Sequence, residues 1–185
     1  IDDKFMDDLD NKDPKSLKLW GEILKTRLET GEPYLMFEDN VNRDNPLAYN
    51  KNNLQVSMTN ICSEIALYTD ELHSFICCLS SLNLARWDEW KDYRFENGMS
   101  LPELTCWFLE GVLQEFIDRA KNIKFMENTV RSATKGRAIG IGVLGWHTFL
   151  QQKNLPFVGI QASAYTRMMF DFIEKGALKA SRDQA

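Results

Sequence analysis

The sequence predicts a mixed α/β fold, and three features carry that expectation. Apolar residues recur at helical spacing in three long stretches, residues 14–30, 101–120 and 161–180. Shorter apolar runs at 34–37 and 75–84 have the length and turn-rich boundaries of buried strands. A glycine-punctuated segment, Gly136 to Gly145, then leads into an apolar stretch around Trp146 to Leu150, as strand-to-helix connections do.

In chain order, the opening residues Asp2, Asp3, Asp7, Asp8 and Asp10 read as a solvated acidic surface stretch. A helix is expected to begin at Asp13-Pro14, a capping carboxylate followed by proline in the first turn. Leu17, Trp20, Ile23, Leu24 and Leu28 give it an apolar stripe, and Gly31 supplies the usual left-handed C-terminal residue. Tyr34-Leu35-Met36-Phe37 reads as a short buried strand. From Glu38 to Ser57, six asparagines and Pro46 predict a long irregular loop, a type of segment that is often functional. The helix at 101–120 is expected to bury Leu104, Trp107, Phe108, Leu113, Phe116, Ile117 and Ala120, and the last helix Tyr165, Met168, Met169, Phe172 and Ile173.

Composition narrows the function classes. The 185 residues carry 22 Lys+Arg against 27 Asp+Glu, a net charge of −5, which argues against binding nucleic acid through its phosphates. Hydrophobic residues make up 44% and charged residues 26%, so disorder along the whole chain is excluded. No apolar run approaches the roughly 20 residues that a bilayer crossing needs. Four cysteines without a signal-type segment predict a reducing, cytoplasmic setting and no disulfide scaffold. The length suits one domain or a piece of a larger one. A first residue that is Ile1 and a tail with neither Gly nor Pro to stop its helix suggest a piece of a longer chain.

The residues with chemical capacity gather at Asn60-Ile61-Cys62-Ser63-Glu64. On an extended chain, Asn60, Cys62 and Glu64 would share one face, whereas a helix would fan them over about 200°. The spacing therefore favours an extended presentation of an amide, a thiol and a carboxylate to one pocket. A lone cysteine beside isoleucine is more often a small buried hydrophobe, so the surroundings must decide.

Those surroundings comprise TGEPYLMF at 30–37, the Asn-rich loop, TNICSEIAL at 59–67, CCLSSLNL at 77–84 and KGRAIGIGVLGWH at 135–147. In this order and spacing they resemble the large, catalytic subunit of class I ribonucleotide reductase, over nearly the whole chain. The resemblance implies that residues 1–185 are a partial catalytic barrel domain, a central part of a ten-stranded α/β barrel with a cysteine-bearing finger loop in its centre. It implies that Cys62 becomes a thiyl radical, that Glu64 is the base on the substrate's 3′-hydroxyl, and that Asn60 orients the ribose. It implies, too, that Cys77 belongs to a redox-active disulfide whose partner cysteine lies outside the chain. A vicinal bond to Cys78 would close a strained eight-membered ring, and Cys78 is expected to pack on the opposite strand face. Cys106, on the apolar side of a helix, reads as inert core.

By the same resemblance the substrate is a ribonucleoside diphosphate, reduced to the deoxyribonucleotide that DNA replication consumes. The implied partners are a radical-generating small subunit with its metallocofactor, a reductant of the thioredoxin or glutaredoxin type, and a second large subunit. Nucleotide effectors would act on the full-length subunit, with no cofactor bound by these 185 residues, which alone would be inactive. Two other readings are open: an adenosylcobalamin-dependent (class II) reductase, which shares the N-x-C-x-E pattern, and a non-catalytic helical protein-interaction domain.

Other signals read as structural. Gly140-Ile141-Gly142-Val143-Leu144-Gly145 fits the dinucleotide fingerprint, but the residues before it are polar and basic, so close packing at a strand-to-helix turn explains the glycines better. His73 and His147 lack metal-ligand spacing. Trp87 and Trp90 read as packing residues, and Arg131, Lys135 and Arg137 as a solvated basic face.

Overall fold

Asp2 accepts a hydrogen bond from the Phe5 N–H at 2.8 Å and so starts a helix, α1 (Asp3–Asp10), in a computed structural model that describes all 185 residues. The acidic opening is thus solvated but helical, because a capping carboxylate and the Lys4–Asp8 pair outweigh the repulsion among its aspartates. Asp13 caps α2 (Pro14–Thr30) through the Ser16 N–H at 2.9 Å, and Gly31 closes it at φ 83°. Phe5 meets Trp20 edge to face, joining the two helices. The rest of the α2 stripe stays open: Leu28 is 89% exposed and only Ser16 is buried.

Two sequence expectations fail next. Residues 34–37 form no strand, since no neighbouring strand takes up their backbone groups; Ile1 bonds Met36 O and the Glu38 N–H, and Phe37 O accepts the Val41 N–H. The Asn-rich segment is largely helical, with α3 (Glu38–Arg43) and α4 (Leu47–Lys51). Its asparagines act on helical carbonyls instead of opening turns: Asn42 Nδ2 donates to Glu38 O and Asn52 Nδ2 to Ala48 O.

Residues Ile1–Phe75 make one compact unit and Ile76–Ala185 a second. The second is α/β. Strand β1 (Leu79–Asn83) pairs in parallel with β2 (Gly140–Leu144), Leu79 opposite Gly140 and Asn83 opposite Leu144. After β1 come one 3₁₀ turn (Leu84–Arg86) and α5 (Trp87–Trp90). The crossover to β2 continues through α6 (Leu101–Ala120) and α7 (Glu127–Gly136), and α8 (Trp146–Gln152) and α9 (Ile160–Gln184) follow.

The sheet buries one face. Leu82, Leu84, Trp87, Trp90, Phe149, Met169 and Ile173 form one core cluster; Cys78, Leu109, Leu113, Ile117 and Ala133 form a second. Trp87 and Trp90 are therefore packing residues, edge to face at 4.7 Å. The α6 boundaries match the sequence expectation, and Leu113, Ile117 and Ala120 are buried as expected, but Trp107 and Phe108 face out. Leu109 is 2% exposed and Phe108 65%, because α9 and the sheet cover the opposite side of the helix. Met168 likewise faces out, at 45%. No helix is long and apolar enough to cross a membrane.

Helices α6 and α9 cross closely at Gly176, where a Cβ would lie 2.9 Å from Pro102 Cβ. Beside that contact Ser100 donates both its N–H (2.8 Å) and its hydroxyl (2.6 Å) to Glu103 Oε2, and Lys179 of α9 pairs with Glu103 Oε1. Lys179 and Ser100 hold the Glu103 carboxyl down at about 2, against an ordinary 4.5. A carboxyl lowered in the folded state stabilises fully above its unfolded value, and that contribution fades as pH falls toward 2. Glu103→Gln is expected to cost about 1–2 kcal/mol at pH 7, as loss of a capping interaction does. The gap from wild type should close between about pH 4.5 and 2 in denaturant titrations. A gap that persists undiminished at pH 2 would rule out the ionised carboxylate as its source.

Candidate active site

The cysteine at 62 sits on a tight turn, not on the extended segment that the spacing favours. The Ser63 N–H donates to Asn60 O at 3.0 Å, and Ser63 takes the left-handed conformation at φ 64°. Asn60 Oδ1 accepts the Ile65 N–H at 3.0 Å, closing the turn from the other side. Asparagine offers the backbone this local partner, and no adjacent strand competes for the same groups. Asn60, Cys62 and Glu64 thus lie within one five-residue turn and not along one face of a strand.

The consequences differ for the three side chains. Cys62 and Glu64 are exposed, and Ile61 between them is 79% exposed. Asn60 is half-buried and its oxygen is committed to the loop.

Residues missed by sequence reasoning hold this turn in place. Asn42 Oδ1 accepts the Val56 N–H at 2.8 Å while its Nδ2 donates to Val56 O at 2.9 Å. Tyr49 O accepts the Leu54 N–H at 3.0 Å, and its hydroxyl accepts the Tyr68 N–H at 3.4 Å. The limbs meet where the Thr69 N–H donates to Gln55 O at 3.2 Å. Asp70 receives the Leu72 and His73 N–H groups and the His73 ring, which hold its carboxyl below the usual range. The asparagine density at 40–53 was the available signal, and as a turn-former signature it pointed elsewhere.

In the other unit, Cys77 lies two residues before β1 and is exposed, whereas Cys78, next to the strand, is 6% exposed. Cys78 O accepts the Gly140 N–H at 2.9 Å, so the ladder reaches it. Its thiol donates to Leu109 O at 3.3 Å within the helix-covered core, and burial pushes its pKa up. Adjacent residues on a strand face opposite sides. Cys78 therefore belongs to the covered face and Cys77 to the uncovered one, with Leu79 (51% exposed) and Ser81. Cys106 is 3% exposed and its pKa too is raised by burial, an inert environment.

The glycines at 140–145 do not form a phosphate-binding loop. Gly140 and Gly142 lie inside β2, and only Gly145 makes the turn into α8, at φ 77°. A Cβ there would fall 2.6 Å from Asn83 Oδ1 and 3.0 Å from Ala85 N. Arg137, from the expected basic face, is paired with Glu110.

Comparison with known proteins gives one consistent result. The sequence profile of the ribonucleotide reductase barrel domain matches residues 4–185. The ribonucleoside-diphosphate reductase large subunit of Invertebrate iridescent virus 3 is 38% identical over 86% of this chain and 24% of its own. That of Arabidopsis thaliana is 31% identical over 91% of this chain and 22% of its own. Among solved structures, the class Id ribonucleotide reductase alpha subunit of Actinobacillus ureae is similar over all of this chain and 34% of its own, with a TM-score of 0.84 and 39% identity. The chain thus spans about a quarter of the length of the curated relatives it matches.

Proposed function

The chain belongs to the ribonucleotide reductase barrel-domain family, and on that premise we propose that it is the central part of a ribonucleoside-diphosphate reductase large subunit. The observation that carries the reading is the exposed Cys62 on a pinned turn, with Asn60 and Glu64 on either side. We place this turn as the finger loop of a ten-stranded α/β barrel to which β1 and β2 contribute two strands. A parallel pair with one bare face supports that, since parallel strands are normally covered on both sides.

In the proposed reaction a thiyl radical at Cys62 takes the 3′-hydrogen of the ribose, leaving a carbon radical at C3′. Glu64 takes the 3′-hydroxyl proton over a short hydrogen bond, and that proton passes to the 2′-hydroxyl, which departs as water. Asn60 Nδ2 donates to the sugar's hydroxyl edge, orienting it and stabilising developing charge. Cys77 and a partner cysteine outside residues 1–185 then supply two electrons and two protons and become a disulfide, and Cys62 returns a hydrogen to C3′. The balance is one ribonucleotide and two thiols giving one deoxyribonucleotide, one disulfide and one water.

The radical would reach Cys62 from a small subunit carrying a metallocofactor, and a thioredoxin or glutaredoxin type protein would reduce the disulfide. Pairing of two large subunits and binding of nucleotide effectors are proposed for the full-length protein. A reducing, cytoplasmic setting is proposed from the small number of cysteines, four in 185 residues. The test is reduction of a ribonucleoside diphosphate by the full-length subunit with its small subunit. Glu64→Gln should lower kcat by about 10²–10⁴-fold, the usual contribution of a general base. Full activity in that variant would remove Glu64 from the chemistry.

A further inference from the structure

We infer that Asn42 is a positioning residue for Cys62: its carboxamide fixes the root of the loop that carries the sulfur. The inference rests on the thiyl-radical reading above. Asn42 stands in the last turn of α3, and both polar groups of the Val56 backbone end on its side chain, N–H on Oδ1 at 2.8 Å and C=O on Nδ2 at 2.9 Å. One side chain thus does what a neighbouring strand would do, six residues before the sulfur. The Val56 side chain is itself fully buried, so this point of the loop is held by packing as well.

The carboxamide has no freedom left. Nδ2 also donates to Glu38 O at 2.9 Å, and Oδ1 also accepts from Asn45 Nδ2 at 2.8 Å, which uses two donors and two lone pairs. Aspartate at 42 would keep the shape but lose both donated bonds, and would set a negative charge against the Val56 and Glu38 carbonyl oxygens. The exit limb is tied at Thr69–Gln55 and Tyr68–Tyr49. On the entry limb, beyond the ties at Leu54 and Gln55, the Asn42–Val56 pair is the one nearest in sequence to Cys62, so the placement of the sulfur depends on it. Hydrogen abstraction demands near-contact geometry, and a misplacement of about 1 Å costs on the order of 10²-fold in rate.

The test uses the full-length subunit with its small subunit. Asn42→Asp should lower kcat by about 10²-fold while KM for the ribonucleoside diphosphate stays within about two-fold. The rate at which iodoacetamide labels Cys62, read by mass spectrometry, should change several-fold. Asn45→Ala, which frees the Asn42 carboxamide without stranding Val56, should shift kcat and labelling in the same direction by a smaller factor. It decides the matter if Asn42→Asp does not fold. Wild-type kcat and labelling in a folded variant would overturn the inference, as would a lower Tm with unchanged kcat per folded subunit. Activity surviving Cys62→Ser would sink the radical reading instead, and labelling would still report whether Asn42 sets the sulfur's position.

Discussion

In the full-length subunit, Cys62→Ser is expected to abolish deoxyribonucleotide formation while ribonucleoside diphosphate binding stays within about two-fold. The substitution keeps size and turn geometry, since position 62 is exposed and its neighbours Asn60, Ser63 and Ile65 hold the turn through backbone groups and the Asn60 amide. What changes is the bond that must break. An S–H bond is weak enough for its radical to form and to take a ribose hydrogen at modest cost, whereas an O–H bond is much stronger. The whole loss therefore falls on the chemical step, in kcat, at about 10³-fold or more, with no matching rise in substrate Kd. Equal loss of binding and turnover would point to a structural defect instead.

The second large effect separates two adjacent thiols. Cys77→Ser should stop dithiothreitol-supported multiple turnover, because the electron pair has no donor on the uncovered sheet face. Cys78→Ser should leave turnover near wild type and lower stability by about 1–3 kcal/mol, since a hydroxyl replaces a thiol in a packed core. The contrast follows from burial. Cys78 is 6% exposed with its thiol on Leu109 O and its pKa raised, while Cys77 is exposed. Normal turnover by Cys77→Ser, with failure of Cys78→Ser, would reverse the assignment.

Local signals were legible where local physics governed. Asp13 and Gly31 bound α2, and Gly145 makes the β2-to-α8 turn, each through backbone geometry that one or two residues dictate. Faces were harder. Trp107 and Phe108 look like core by type, but the side of α6 that α9 and the sheet cover is a tertiary fact. The turn at residues 60–64 shows the same limit from the opposite direction. Alternation at 60, 62 and 64 favoured a strand, yet a strand needs a partner, and Asn60 supplied a local alternative. That the three residues share one short segment follows from their sequence positions whatever the backbone does. The ties at Asn42 and Tyr49 were not, since they join residues more than ten positions apart.

The most direct measurement of the account is the fate of substrate in the Cys77→Ser subunit, with and without Cys62→Ser, in the presence of the small subunit. With Cys77 replaced and Cys62 intact, the 3′-hydrogen is still taken and the 2′-hydroxyl still leaves, so intact ribonucleotide should disappear without yielding deoxyribonucleotide. Adding Cys62→Ser should leave the ribonucleotide untouched. If the doubly substituted subunit consumes its substrate as fast as the single variant, hydrogen abstraction does not begin at Cys62.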